Sequence, residues 1–473
     1  MRILGVSASL RNKRFSYKNK LVEDLRKINS LNELNIFVKD QIKVTFSDME
    51  KLNKKELSFE EKYKELKKHK GDRGLSNSET ALVYALWQAS QEKNIETDYL
   101  SLSNIFDNED TEKLNFFKKK FLECNALLVS GPVYFGDRGS LTQRMIEFLN
   151  SDRDCMKHAK KILYAGLAVG AKRNGGQETT LIFQTLDFLN LGCKVIGNGY
   201  DTTAQYGGTL VAGDIGKLVD DNYGIKTALS TGKNLGEVLN KINLTDNKIE
   251  TIRKTHRCHI FILQDNKNQE CTKIVESLVK NYKDKKISFK IFKVFKDQVH
   301  KCIACDICPI SYGDRKQYRC IINNKDDFFK KNHEEIIDCD SFIFAAYSGT
   351  NFINIKTNYQ QFIERTRYLR RDDYLIGDKL VTSLILSEVN SNRNLHIRIL
   401  TSLMRHHNIL TKPILVFKNA NTYINLENIK KQFIDFCQTA LKVKKDPKKI
   451  NEYKPVGYEI SLEKFLQKKK SNY

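Results

Sequence analysis

Short apolar runs alternate with longer stretches of helical periodicity along most of this chain. Residues 2–6 and 126–130 are unbroken runs of mostly apolar residues, the pattern of parallel strands buried on both faces. After residue 140, Leu141, Met145, Ile146 and Leu149 recur at helical spacing, and Ser140 stands where an N-cap is expected. The same reading predicts strands at 96–102, 161–169 and 193–199. It predicts helices from 76 to about 93, at 112–124, from 177 onward and at 222–239, with 201–214 a polar, Gly-rich loop. Strands alternating with helices through short loops predict an α/β domain with a doubly wound parallel sheet, helices layered on both faces.

Residues 12–73 break this rhythm. They are rich in Lys, Glu and Asn, with amphipathic stretches at 19–28 and 59–66. Several short helices are expected there, a solvated insertion, with a lid or an oligomer contact as alternatives. Past a connector at 247–256 the alternation resumes. Strands are expected at 259–263, 287–294, 341–347, 380–386 and 413–417, and helices at 271–282, 326–338, 359–369, 395–407 and 426–441. The order repeats that of the first half, as in a divergent duplication. His406 and His407 read as surface residues of the penultimate helix. Residues 442–473 are Lys-rich with little core potential and read as a solvated tail. The expected domains are therefore 1–245, with the insertion at 12–73, then 246–441, then the tail.

Composition changes this picture little. The 473 residues suit two to three domains, with 40% hydrophobic and 29% charged residues. The first residues run straight into a strand without a leader pattern, and no stretch reaches membrane-spanning length, so a soluble, cytoplasmic protein is expected. The net charge of +23 admits nucleic acid, anionic membranes or phosphate-bearing cofactors as partners. The Lys residues are interleaved with Asp and Glu and no nucleic-acid module is recognisable, so neither a specific nucleic-acid partner nor a membrane is expected. Eleven Cys in a chain of this kind point to metal or redox use rather than disulfides.

Candidate chemistry gathers where the predicted strands end, the place where open α/β sheets bind ligands. The first strand ends in Ser7-Ala8-Ser9-Leu10-Arg11, hydroxyls and a forked cation that suit a phosphate. A second hydroxyl cluster, Ser76-Asn77-Ser78, opens the helix after the insertion. The third strand ends in Gly131-Pro132-Val133-Tyr134-Phe135-Gly136, a rigid aromatic turn that suits a planar ligand; an ordinary βα turn is the plain alternative. The fourth strand leads into Gly175-Gly176-Gln177, where backbone approaches closely and an amide is available.

These four motifs, in this order, resemble the flavodoxin-like NAD(P)H-dependent FMN reductases and the iron–sulfur flavoproteins related to them. The resemblance spans about residues 1–245 apart from the insertion, with Gly131 where the family usually has Ser. It implies a flavodoxin-like fold with FMN in the first half and a homo-oligomer; the repeated order of elements predicts a second, divergent flavodoxin-like domain. By the resemblance Ser7, Ser9, Arg11, Asn77 and Ser78 hold the FMN phosphate. Pro132, Val133, Tyr134, Phe135, Gly136, Gly175, Gly176 and Gln177 hold the isoalloxazine, with Tyr134 and Phe135 flanking the ring and Gln177 at its polar edge. The second half lacks the Gly and hydroxyl loops, so FMN is not expected there in the usual way.

The second half carries instead Cys302-Ile303-Ala304-Cys305-Asp306-Ile307-Cys308-Pro309, with Cys320 beyond. Three thiols at this spacing plus a fourth suit a [4Fe–4S] cluster; structural Zn²⁺ and metal-free thiols are the alternatives. Iron–sulfur flavoproteins carry such a cluster before an Asp-Asp pair, and Asp326-Asp327 stands there. Cys124, Cys155, Cys193, Cys258, Cys271, Cys339 and Cys437 read as buried thiols. The expected function is an FMN-dependent NAD(P)H oxidoreductase passing electrons to a quinone, another small acceptor or the iron–sulfur centre. The alternatives are a non-enzymatic interaction or regulatory protein, and an electron carrier without a nicotinamide site.

Overall fold

A computed structural model of the chain describes residues 1–10, 21–54, 56–68, 74–106, 110–242, 255–264, 268–305, 308, 316–350, 354–371, 374–391 and 394–443. Arg11, parts of the insertion and all but the start of the basic tail lie outside the described residues. Two compact units part between Asn240 and Lys241.

In the first unit the strands Glu96–Ser101, Arg2–Ser7, Ala126–Tyr134 and Leu163–Gly170 lie side by side in that order, all parallel. Ser7 pairs with Ser101 on one side and Ser130 on the other. Leu163–Gly170 is buried along its whole length, which is why its sequence reads as one apolar run rather than an alternation. The sheet order 2-1-3-4-5 is the flavodoxin-like arrangement, whose ligand crevice opens between the carboxyl ends of the first and third strands.

The fifth strand departs from expectation. In place of one run at 193–199 there are two short pieces, Lys194–Val195 and Gly208–Val211, each parallel to Leu163–Gly170. Between them the chain leaves the sheet around Asn198. This buried amide donates to Gly207 O, Thr227 O and Thr231 Oγ1 at 2.8–3.0 Å. The return runs through Gly207, at φ 142°, where a Cβ would lie 2.2 Å from the Gly166 carbonyl, so only glycine fits. Ser140 is not a cap either: Gly139 holds that position and Ser140 is the first helical residue.

The insertion is more than a solvated decoration. Its helices are Leu21–Leu25, Leu31–Lys54 and Phe59–Lys68. Leu34, Val38 and Ile42, at i, i+4 and i+8 on one face, are buried. The Asn77–Ser90 helix reaches the insertion through Tyr84 Oη, donating to Asn35 at 2.7 Å, and Trp87 Nε1, donating to the Ile28 carbonyl at 2.9 Å.

The second unit repeats the plan. Its strands run Ile287–Phe295, His256–Gln264, Ser341–Ser348 and Leu380–Glu388, again parallel and in the same order. Its fifth strand is split as well, into Ile409–Leu410 and Ile414–Asn419, both paired with Leu380–Glu388. His406 and His407 are not at the surface. The helix ends at Met404, and both imidazoles turn inward, 4% and 6% exposed. The Nε2 of His406 lies 2.8 Å from Thr366 Oγ1. Among the described residues no helix is long and apolar enough to cross a membrane.

Candidate functional site

The carboxyl edge of the first unit gathers the expected loops and laces them together. Ala8 donates its N–H to Ser130 O at 2.8 Å, and Ser130 Oγ donates to Ser78 O at 2.7 Å. Ser7, Ser9 and Ser78 are buried at this junction. Asn77 faces elsewhere: its Nδ2 donates to Asp214 O at 3.0 Å and its Oδ1 accepts from Gly216 N at 3.2 Å.

The helix start beside them is closed by a capping box. Ser76 Oγ accepts from Glu79 N, and Glu79 Oε2 accepts from Ser76 N at 2.9 Å. The other carboxylate oxygen of Glu79, a fully buried residue, accepts from Tyr99 Oη at 2.5 Å. Burial, then the Glu79 charge, pushes the Tyr99 hydroxyl well above the usual tyrosine range. The sequence reading missed this pair, although the Ser-x-x-Glu spacing of 76 and 79 signals the box. A carboxylate thus already stands near the positive end of this helix. An anion placed here would depend on serine hydroxyls and loop N–H groups.

The aromatic turn is not a simple βα turn. The third strand runs on through Tyr134 and folds back, pairing Val133 with Arg138 and Tyr134 with Asp137. The hairpin tip is Phe135-Gly136, at φ 51° and 77°, as a two-residue hairpin turn requires. An aromatic residue in the left-handed region is strained, a state found where function holds it. Phe135 is fully exposed and Tyr134 is 43% exposed. Arg138 braces the base, paired with Asp187 at 2.7 Å and donating to Gln143 Oε1 at 2.7 and 2.9 Å.

The Gly175-Gly176 loop packs onto this hairpin. A Cβ on Gly176, itself at φ 97°, would lie 2.7 Å from Gly136 Cα. Gln177 is buried beneath the loop, donating to Lys172 O at 2.8 Å and Leu210 O at 3.2 Å, so it shapes the loop from below. Thr142 has a buried hydroxyl without a hydrogen-bond partner. It lies where a Cβ on Gly131 would come within 3.4 Å, with Ala8 Cβ at 3.3 Å. The edge therefore offers an exposed aromatic tip, two left-handed glycines and an unsatisfied hydroxyl, a donor set that fits a planar, polar-edged ligand such as a flavin.

The same edge of the second unit is filled by its own side chains. The carboxylate of Glu270, the first residue of the helix after the first strand, accepts from Lys418 Nζ at 2.7 and 2.9 Å and from the Tyr423 hydroxyl. Glu388 accepts from Thr350 N and Oγ1 at 2.7 and 2.6 Å and from Tyr347 Oη at 2.7 Å. Carboxylates occupy the loops where an anionic cofactor would need donors.

Cys302, Cys305, Cys308 and Cys320 are partly exposed, whereas the other seven cysteines are buried. Burial raises the Cys308 thiol, countered by Arg371 and Arg367 and reinforced by the neighbouring Cys320 and Cys305. Four thiols, with arginines near Cys308, are a donor set whose chemistry fits a thiolate-bound metal. Among the described residues no three His, Cys, Asp or Glu side chains are drawn together closely enough to hold one. Asp327 caps the Phe328–Asp338 helix, in the Asp-Asp position expected after the thiols.

No family model matches the chain. Over 177 residues it is 32% identical to an iron–sulfur flavoprotein of Methanocaldococcus jannaschii, covering 34% of this chain and 91% of that one. Among solved structures it is similar to a flavone reductase (TM-score 0.28, 14% identity, 51% of this chain and 63% of that one). It is also similar to RosB bound to 8-demethyl-8-formylriboflavin 5′-phosphate (TM-score 0.30, 13% identity, 52% and 83%). A third is the Trp repressor binding protein of Bacillus subtilis (TM-score 0.24, 17% identity, 34% and 88%). These likenesses are too distant to add to what the strand order itself shows.

Proposed function

Since this chain belongs to the iron–sulfur flavoprotein family, we propose that its first unit binds FMN at the carboxyl edge of the sheet and acts as a flavin-dependent oxidoreductase. The electron donor in this reading is NADH or NADPH, and the acceptor is a quinone, another small molecule, or a metal centre held by the second unit's thiols. The observation that carries it is the strained Phe135-Gly136 hairpin tip packed against Gly175-Gly176, with an aromatic ring held bare at the ligand crevice. FMN, when bound, accepts a hydride and releases electrons singly or in pairs. The chain's part is to place and enclose it. Tyr134 and Phe135 would flank the ring. The backbone at Gly136, Gly175 and Gly176 would approach its edge, and Ser7, Ser9 and Ser78 would receive the phosphate. Arg11 keeps its assignment to the phosphate as part of this proposal, and Gln177 acts by holding the loop. Cys302, Cys305, Cys308 and Cys320 would hold iron–sulfur or Zn²⁺.

Protein purified without air should carry flavin absorption bands that bleach on adding NADH or NADPH, with one FMN per chain because Glu270 and Glu388 fill the second unit's edge. Two FMN per chain would contradict the assignment of the second unit. Failure to bind added FMN would sink the enzyme reading and leave a binding scaffold. Bound flavin that no nicotinamide reduces would point to an electron carrier.

Phe135→Ala should weaken FMN binding about 10-fold, the order expected for one stacked aromatic. Gly176→Ala should do at least as much, since the added methyl meets Gly136 Cα at 2.7 Å and φ 97° disfavours any side chain. Fluorescence quenching of added FMN reads both. Unchanged affinity in both variants would remove the hairpin and its loop from the site.

A further inference from the structure

Lys379 is 4% exposed and stands one residue before the Leu380–Glu388 strand. Its Nζ donates to Ile336 O at 3.2 Å, to Ile337 O at 2.8 Å and to Cys339 Sγ at 3.3 Å. Those three contacts use the three protons of an ammonium, and none of them is to a carboxylate. The two carbonyls belong to the last turn of the Phe328–Asp338 helix, whose negative end favours a cation. Capping the helix therefore explains the carbonyls but not the sulfur. Cys339 is fully buried and is the C-cap of that helix, and its S–H donates to Ile336 O at 3.3 Å. An amine nitrogen and a thiol sulfur are thus held against each other just before two paired strands, Ser341–Ser348 and Leu380–Glu388.

An apolar space adjoins them. Among the described residues, Phe329, Ile336, Phe342, Phe362 and Ile376 help to line a cavity of about 10 Å³. A cavity lined in this way stays dry and takes small apolar guests. Dioxygen is such a guest. Ile336 belongs to both features, since it lines the cavity and its carbonyl accepts from Lys379 and Cys339.

We propose that Cys339 and Lys379 are an oxidative cross-linking site, which dioxygen closes into a covalent Sγ–O–Nζ bridge. In this step the S–H bond and two N–H bonds of the ammonium break. One oxygen atom bonds to both Sγ and Nζ. The other leaves as water, and one proton is released. Sulfur and nitrogen give up two electrons each, and dioxygen takes four. Oxidised thiols condense with a neighbouring thiol or nitrogen, and the neighbour in contact here is a nitrogen. The bridge ties the end of the Phe328–Asp338 helix to the start of the Leu380–Glu388 strand and removes a buried positive charge. It makes the second unit responsive to oxygen and needs neither flavin nor metal.

The test uses the full chain, purified without air and divided in two, one half then equilibrated with dioxygen. Both halves are denatured in iodoacetamide, digested and analysed by mass spectrometry. The oxygenated half should yield a joined peptide pair holding Cys339 and Lys379. Its mass should be that of the two peptides plus one oxygen and less two hydrogens. Dithiothreitol should part the pair. Alkylated Cys339 should be lost from the oxygenated half in proportion and recovered in full from the airless one. Lys379→Arg keeps a cation at the helix end, and Cys339→Ser keeps an acceptor for Lys379; neither variant should give the pair. The decisive comparison lies within the unsubstituted chain, so it stands even where a variant does not fold. Cys339 recovered wholly as the alkylated thiol after dioxygen would overturn the bridge. So would Cys339 found as a disulfide or a sulfinic acid with the Lys379 amine free.

Discussion

Arg365→Met should destabilise the second unit by about 3–5 kcal/mol, the usual consequence of leaving one buried charge without its partner. That partner, Asp327 at 3.0 and 3.1 Å, has no solvent exposure to fall back on. With the guanidinium gone, its carboxylate keeps Lys330 N at 3.1 Å, His300 N at 3.2 Å and the Tyr318 hydroxyl at 3.5 Å, all of them neutral donors. His300 O and Tyr318 Oη lose a donor in the same step. The double variant Asp327→Asn/Arg365→Met should regain most of the loss. It removes the buried charge while asparagine still caps the Phe328–Asp338 helix. The chain's one Trp is Trp87, in the first unit. The change is therefore better read by amide hydrogen exchange in the Phe328–Asp338 helix and the Ile287–Phe295 strand, with urea unfolding for the magnitude. A single variant costing under about 1 kcal/mol, or a double variant no better than the single, would show that the pair is not held in a desolvated setting.

What the sequence disclosed and what it hid divide along a physical line. Central parallel strands are buried on both faces, so Ala126–Tyr134, Leu163–Gly170 and Ser341–Ser348 announce themselves as apolar runs, and their alternation with helices repeats in both halves. That much made the doubled plan readable, along with the loops at its carboxyl edges. Hidden were features decided by partners distant along the chain or by backbone angle. The split fifth strand depends on Asn198 meeting Thr227 and Thr231 some thirty positions on. Tyr99 and Glu79 meet across the core, and Arg365 and Asp327 lie 38 positions apart, so neither pair has a local signature. Gln177 has the chemistry to touch a ligand, but its amide is drawn below the loop by Lys172 and Leu210 carbonyls. The hairpin was concealed by Phe135, since a residue type that disfavours positive φ gives no warning of a tight two-residue turn. The His406-His407 pair misled for a simpler reason: the helical pattern runs past Met404, but the helix does not.

Acidification should destabilise the second unit well before its carboxylates titrate. His406 is buried and its pKa is pushed down to about 3, by burial first and then by Arg370, His407 and Arg405. Its Nδ1 has no hydrogen-bond partner to welcome a proton. His259 is buried and pushed down to about 4, again by burial first, with Glu335 opposing and Lys379, Lys290 and Arg257 adding to the shift. Both are neutral in the folded protein and titrate near 6.5 when unfolded. Above that value neither state binds the proton and neither histidine affects stability. Below it the unfolded chain binds protons the folded chain refuses, so stability falls as pH falls, until pH nears the folded values of about 4 and 3. From pH 6.5 to 5 each group contributes a loss of about 1.6 kcal/mol, about 3 kcal/mol together. Carboxylates such as Glu270 and Glu388, held below their usual range, lose their contribution only at lower pH, so the window from 6.5 to 5 isolates the histidines. Thermal unfolding across that window should show a steep fall in Tm. In His406→Gln, which can still meet Thr366, the fall should shrink by about half. An unchanged slope in that variant would mean that His406 accepts its proton in the folded state, and that its pocket opens to water more readily than its 4% exposure implies.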